Sequence, residues 1–535
     1  MLLNEEQNKA ANLIVRFMNS KKTNLLMAGA GGTGKTTTIA HAFAQMRERE
    51  YKIAFCAFTN KATQILKGAA KSSIERAEFE ASLNESTVTR QPDELKADFT
   101  TIHKLLMLEP RFGQGNTDEL SFKFSLKKAV SRVNKYDILI FDECSIISQT
   151  LYNYIQQTCA ACLTTEKSIK CIYLGDTWQL PPVGEDKSII FDLAMADKWP
   201  VAILTHIMRS RNDLMRAVNA QMAQCIIHFR DNDAEYINKF LSGFPNNFLS
   251  GGDYYCDSRA ALVADYMRAW SEVGNNIMLT YGRKSCQEFN FMVQAQIDSE
   301  RHEATEEYNA DCLVFKAGDR CCIDKPITLH KIIAVQGTHA NALVQVTYAN
   351  ASVQGTHVKL GAVITTRNDT ATERPNGTNL VSRGDAEPVM LYNGEIFDVT
   401  AAENISIQSG INRELAQIPY FKGQKLKLRH IITGREYEVL HIKKADVAAA
   451  RKKMMSLGLQ RDQIREIIEE FYGQYPVLTY GYCITVYKAQ GSEWEHVSIN
   501  LNNIFYSLRG AGPHMVFRAA YTAVTRARTS LKVFF

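Results

Sequence analysis

Gly29-Ala30-Gly31-Gly32-Thr33-Gly34-Lys35-Thr36 has the spacing G-x-x-x-x-G-K-T. Glycines at this density let the backbone curl until amide N–H groups converge on phosphate oxygens. A helix opening directly behind them, here from Thr37, adds the partial positive charge of its N-terminus. In such a loop Lys35 reaches the β- and γ-phosphates and the Thr36 hydroxyl joins the shell of Mg²⁺. A glycine-rich turn holding nothing would not account for the apolar strand Leu25–Met27 ahead, the Lys-Thr pair and the helical stretch Thr37–Arg47 behind. Further on, Ile138-Leu139-Ile140-Phe141 runs into Asp142 and Glu143. Alone, an apolar run ending in two acids is usually a strand meeting solvent. Behind a phosphate loop, Asp142 can hold the Mg²⁺ shell and Glu143 can orient and deprotonate the attacking water. Together they point to hydrolysis of a nucleoside triphosphate. Asn60-Lys61-Ala62-Thr63 lacks the Asp of a guanine-specificity motif, which argues against a GTPase.

These groups need a scaffold. Asn8 to Met18 places Ala10, Leu13, Ile14, Phe17 and Met18 on one helical face. Apolar runs then recur at Asn24–Ala28, Lys52–Phe58, Tyr136–Phe141, Ser168–Leu174 and Trp199–Leu204, and later at Asn276–Thr280, Tyr480–Val486, His496–Asn500 and Ser530–Phe535. Strands separated by helical stretches predict parallel sheets covered on both faces, hence an α/β chain with two such domains in tandem. The boundaries expected are 1–208 for the first domain, 209–300 with 477–535 for the second, and 301–476 for a β-rich insert closing in a charged helical stretch, Ala445–Tyr472. Polar insertions are expected at about 68–98 and within 328–388, and no internal repeat is visible.

Composition sets limits. The chain has 535 residues, 45% hydrophobic and 22% charged. Both shares are ordinary for a globular protein. No apolar run reaches the roughly 18 residues of a membrane span. The start MLLNEEQ carries no signal-peptide pattern. Twelve scattered cysteines, several of them in apolar runs such as Ile53–Cys56, predict reduced thiols and a cytoplasmic protein. Cys159-Ala160-Ala161-Cys162 has metal-ligand spacing but no second pair, so core packing is expected. The net charge of +5 permits a polyanion partner without arguing for one.

Further segments resemble superfamily 1 helicases of the RecD-like branch, with a layout like that of phage helicases, from Asn4 to Phe535 and least in the inserts. The resemblance implies two RecA-like P-loop motor domains, with a β-hairpin insert in the first and an SH3-like β-rich insert in the second. It implies ATP and Mg²⁺ as cofactors, single-stranded DNA and duplex junctions as partners, and 5′→3′ movement. A motor working as a monomer, with single-strand-binding or replication proteins nearby and no membrane, is the expectation. Gln7 stands where the family reads adenine, though a plain helix-start glutamine is an equal reading. The phosphate loop from Gly29 to Thr37 and, later, Gly491 and Glu493 would complete the ATP site. Thr59 and Lys61 resemble motif Ia; Thr101 and His103 resemble motif Ib; both would grip strand phosphates. Leu174-Gly175-Asp176-Thr177-Trp178-Gln179-Leu180-Pro181-Pro182-Val183 resembles motif III, with Gln179 sensing the γ-phosphate and Pro181 stiffening the link to DNA. Arg209, in a motif IV-like segment, would contact the γ-phosphate. Tyr281 and Asn290 match the next segment, although Tyr281 also fits a core role. Thr485, Tyr487, Lys488 and Gln490 match motif V, with Tyr where the family usually has His. Arg526 is the candidate arginine finger of motif VI. Leu106–Phe124 reads as a hairpin where the branch carries its pin; Phe112 would stack on the junction base pair or simply sit on a surface hairpin. An RNA-directed helicase, or an ATPase switch subunit of a larger complex, remains the alternative.

Overall fold

A computed structural model describes residues 3–44, 46, 51–58, 62–63, 66–68, 70, 72, 97–111, 121–163, 168–206, 235, 255–301, 312–325, 327–336, 343–349, 380–383, 389–391, 394–407, 421–431, 433–461, 463–464 and 476–535. The chain divides into two compact units, Met1–Arg283 with Thr485–Phe535, and Lys284–Ile484.

The first unit holds two parallel sheets. In one the strands run in the order Ala97–Thr101, Ile53–Ala57, Ile138–Phe141, Lys170–Gly175, Asn24–Gly29, Val201–Leu204. The central strands are buried throughout, as a parallel sheet with both faces covered requires. Phe141, Tyr173 and Trp199 stack in a row, with ring centroids 5.2 and 5.5 Å apart, beneath the strand ends that carry the acids. In the other sheet Asn276–Thr280, Trp494–Asn500, Ala527–Phe534 and Tyr255–Cys256 lie side by side in parallel. The expected strands are present. Ala97–Thr101 and the short Tyr255–Cys256 are additions, the former lying at the end of a stretch read as polar insert.

The N-terminal helix, Glu5–Met18, begins with a capping box: the Asn4 side chain accepts from the Gln7 amide and the Gln7 side chain from the Asn4 amide. It buries Ala10, Ala11, Ile14, Phe17 and Met18, close to the face its periodicity predicts.

The second unit is β-rich, as expected of the insert. An antiparallel sheet has the order Glu436–Ile442, Phe421–His430, Ile396–Ile407, Arg320–Lys325, Val477–Tyr480. A smaller sheet is built on Ile327–Gln336, and the helix Lys444–Ser456 follows the last long strand. One boundary moves. The sequence reading puts residues from 477 in the second motor domain, but Val477–Tyr480 pairs antiparallel with Arg320–Lys325. Gly481 permits this: a Cβ there would lie 2.7 Å from the Cys321 carbonyl, so only a bare backbone fits. Among the described residues no helix is long and apolar enough to cross a membrane.

Candidate active site

The phosphate loop follows the strand Asn24–Gly29 and ends where the helix Lys35–Ala44 begins. Gly32 and Gly34 stand at φ 84° and 83°. That region is closed to most side chains, and it lets the loop curl. The Lys35 ammonium donates to the carbonyls of Gly29 and Ala30 at 2.7 and 3.1 Å. Thr33 is buried, its hydroxyl on the Ala30 carbonyl at 2.9 Å. Gln7, also buried, donates from Nε2 to the Thr33 carbonyl at 3.1 Å. Thr36 and Thr37 occupy the first helical turn, and Gly31 has open space around its Cα.

Asp142 and Glu143 follow the buried strand Ile138–Phe141. Glu143 takes a left-handed backbone at φ 54°, ψ 46°, with its amide on Asp142 Oδ1 at 3.0 Å. A non-glycine residue held there carries about 1 kcal/mol or more of strain, which clusters at functional sites. Burial, then the Asp142 charge, pushes the Glu143 carboxyl up to about 7, against the opposing pull of Arg526 and Lys35. Gly491, at φ 71°, backs onto the same place: a Cβ on it would sit 3.2 Å from Ala62 Cβ and 3.9 Å from Glu143 Cγ.

Arg526 is buried. Its guanidinium donates to the carbonyls of Thr522 at 2.9 Å and Ser492 at 3.2 Å, and to the Thr525 hydroxyl at 3.1 Å. Glu493 pairs with Arg528 at 3.0 Å.

The segment Asp176–Leu180 is gripped by the motif V and VI regions. Tyr521 OH donates to Asp176 Oδ2 at 2.8 Å, Arg518 Nη1 to the Gln179 carbonyl at 3.0 Å, and the Leu180 amide to Thr522 Oγ1 at 3.0 Å. Gln490 Nε2 donates to the Leu180 carbonyl at 3.2 Å. Burial lowers the Arg518 pKa, with Asp176 working the other way. Gln179 is buried, and its Oε1 has no hydrogen-bond partner among the described residues, a costly state for a polar atom. Pro181, two residues on, is buried too. Arg518 is not singled out by the sequence, and Tyr521 and Thr522 carry no role there of their own beside Arg526. Their spacing places them on one face of the helix Pro513–Val524, a usable signal.

Two short helices carry the expected strand-binding residues. Thr101 caps Ile102–Leu105, its hydroxyl accepting from the Lys104 amide at 3.1 Å. Thr485 caps Val486–Ala489, accepting from the Lys488 amide at 3.5 Å. His103 meets the Phe58 ring edge-on at 5.9 Å, and burial drives its pKa down to about 4. It is therefore neutral near pH 7, not a cation for phosphates. Tyr487 lies 5.9 Å from Tyr281, and burial, then Tyr281, raises its pKa. Asn290 is buried with both ends of its amide on the Cys483 backbone, at 2.8 and 3.0 Å. Thr59, Lys61, Phe112 and Arg209 lie outside the described residues, as do most of the insertions at 68–98 and 328–388. The hairpin strands Glu109–Arg111 and Ser121–Lys123 pair antiparallel. Cys159 lies 3.8 Å from the Cys171 sulfur, across from a strand of the first sheet.

The family described as AAA domain matches residues 2–233, and the family described as UvrD-like helicase C-terminal domain matches residues 480–533. An uncharacterized protein of Acanthamoeba polyphaga mimivirus is 26% identical over 360 residues, 62% of this chain and 66%, just under two thirds, of the viral protein. Among solved structures, Pif1 helicase from Bacteroides in complex with ADP-AlF3 and ssDNA shares 15% identity over 99% of this chain and 92% of its own, with a TM-score of 0.45. Pif1 helicase from Candida albicans shares 14% over 100% and 94%, with a TM-score of 0.42. The chain thus carries an AAA domain followed by a UvrD-like helicase C-terminal domain, with Lys35, Asp142, Glu143 and Gln179 within the first match and Arg526 within the second.

Proposed function

We propose that the protein hydrolyses ATP to move along single-stranded DNA, 5′→3′, and to part duplex at a junction. The observation that carries the reading is the meeting of both motor halves at Glu143: Lys35 and Asp142 beside it from one, Arg526 and Gly491 from the other. The halves are residues 1–208, and 209–300 with 477–535, around the insert 301–476, except that Val477–Tyr480 goes with the insert's sheet.

The donor set fits the cofactors. The positive-φ glycines and the helix start suit a triphosphate. The Thr36 hydroxyl and Asp142 carboxylate are hard oxygen donors, and Mg²⁺ commonly takes only one or two protein ligands beside phosphates. Held by Thr36 and Asp142, Mg²⁺ would offset the charge built up in the reaction. Gln7 orients adenine, Gly29 to Thr37 cradle the phosphates, and Lys35 holds the β- and γ-groups. Glu143 takes a proton from water as its oxygen bonds to the γ-phosphorus; the bond to the ADP oxygen breaks, and phosphate leaves. Arg526 and Arg209 balance the charge on the transferred group, and the unpartnered Gln179 Oε1 is available to the attacking water or γ-phosphate. Loss of the γ-phosphate weakens what draws Asp176–Leu180 and the helix of Tyr521 together, and the halves part. Thr59, Lys61, Thr101, His103, Pro181, Tyr281, Thr485, Tyr487, Lys488 and Gln490 form the strand path, and Phe112 the pin; Asn290, expected there too, is instead committed to the Cys483 backbone.

The test is ATP turnover with and without single-stranded DNA or RNA, then unwinding of partial duplexes bearing a 5′ or a 3′ tail. Stimulation by DNA with unwinding from the 5′ tail supports the reading. Stimulation without unwinding would favour a switch subunit, and preference for RNA or a 3′ tail would overturn substrate or polarity.

A further inference from the structure

Two neighbouring side chains in the first turn of the N-terminal helix reach to different partners. Gln7 holds the Thr33 carbonyl of the phosphate loop. Glu6 faces the chain leaving the edge strand Val201–Leu204. Its carboxylate accepts from the Thr205 amide at 2.8 Å, the Thr205 hydroxyl at 2.5 Å and the His206 amide at 3.2 Å. Charge-assisted bonds of this kind are roughly twice as strong as neutral ones. The Thr205 hydroxyl foremost, then its amide, holds the Glu6 carboxyl below its ordinary range, so the grip persists through neutral pH. The loop and the exit strand also touch directly. Gly29 pairs with Leu204, and a Cβ on Gly29 would lie 2.7 Å from the Leu204 carbonyl oxygen. Glu5, in the same turn, pairs only with Lys9 among the described residues, at 2.6 Å in solvent. A favourable charge at the helix start would be met by either acid; the tie to Thr205 and His206 belongs to Glu6.

We propose that Glu6 is a positioning residue: it clamps the segment leaving the first motor sheet to the helix that holds the phosphate loop, so that nucleotide at the loop is felt by the chain entering the second half. This rests on the ATPase reading above. Gln7 takes one end of the link, Glu6 the other, and the capping box at Asn4 makes the turn between them rigid.

The experiment uses the full chain with Glu6→Ala, Glu6→Asp, Thr205→Val and the Glu6→Ala/Thr205→Val double variant. Three quantities are measured: the Kd of a fluorescent ADP, kcat and KM for ATP with saturating single-stranded DNA, and hydrogen exchange at the 205–206 amides with and without ADP. Glu6→Ala should leave Kd and KM within about twofold and lower kcat about tenfold. It should also remove ADP-dependent protection at 205–206, and Glu6→Asp should recover part of both losses. The double variant should be no slower than Glu6→Ala, because both changes cut one connection. An unchanged kcat in Glu6→Ala, additive losses in the double variant, or equal ADP-dependent protection in wild type and Glu6→Ala would overturn the clamp. Wild-type protein that hydrolyses no ATP under any condition would sink the ATPase reading instead, while the exchange response to ADP would still judge the clamp.

Discussion

The two sides of the nucleotide cleft are built on different terms. The phosphate-loop side is self-contained: Lys35 rests on Gly29 and Ala30, Thr33 on Ala30, and Gln7 on Thr33, all within the first motor sheet and its helices. The Arg526 side spends its side chains on the opposite half, with Tyr521, Thr522 and Arg518 all on Asp176–Leu180. On the proposed reading one side would bind and react, and the other would sense. Hydrolysis and movement should then be separable by mutation, and the contrast can be broken at several points.

The largest effect is expected from Arg526→Ala, which should keep nucleotide binding and lose about 10³–10⁵ in kcat. Single-turnover hydrolysis and fluorescent-nucleotide titration check it; unchanged turnover would remove the finger assignment. Next, Glu143→Gln should cost about 10²–10⁴ in kcat, yet raise thermal stability. The Glu143 carboxyl lies at about 7 in the folded chain against an ordinary 4.5, so its ionisation destabilises the fold. That penalty is absent below about pH 4.5, grows as pH rises, and is complete above about pH 7. The Tm gain of Glu143→Gln should follow this course, and a gain equally present at about pH 4 would contradict it. In the wild type the same group predicts turnover rising with pH up to about 7 and flat above.

Tyr521→Phe removes one bond to a buried carboxylate, an interaction of about 1.5–3 kcal/mol. It should lower DNA-stimulated turnover by about tenfold or more while sparing nucleotide affinity. Equal losses in both would place Tyr521 on the binding side and blur the contrast. The smallest effects belong to the caps. Thr101→Ala and Thr485→Ala should each cost about 1 kcal/mol in chemical denaturation. Each should also weaken single-strand binding, read by fluorescence anisotropy.

Much of this was legible in the sequence because local chemistry fixed it. The loop from Gly29 to Thr36 and the Asp142–Glu143 strand end each carry their own warrant in a few adjacent residues. The β-rich insert showed in its branched residues and turns. What escaped depended on distant partners. Nothing near Glu6 announces Thr205, and nothing near Tyr521 announces Asp176. Ala97–Thr101 was hidden because its polar residues mask a strand at the edge of the sheet. No repeat was visible either, yet Thr101-Ile102-His103-Lys104 and Thr485-Val486-Tyr487-Lys488 form the same capped turn, each with an aromatic partner at 5.9 Å. Only the Thr and the Lys are shared, because the cap and its backbone geometry, not the other side chains, define the device. His103 is neutral for a reason no motif contains: desolvation of its half-buried ring lowers its pKa.

Gly491 has a mechanical consequence. A Cβ at 491 would lie 3.2 Å from Ala62, close enough that Ala62 would have to give by a few tenths of an ångström, and φ 71° there would strain it. A side chain at 491 would act as a shim, holding the jaws ajar while the loop around Lys35 still took its cargo. On the proposed reading such a protein would bind nucleotide without completing its cycle.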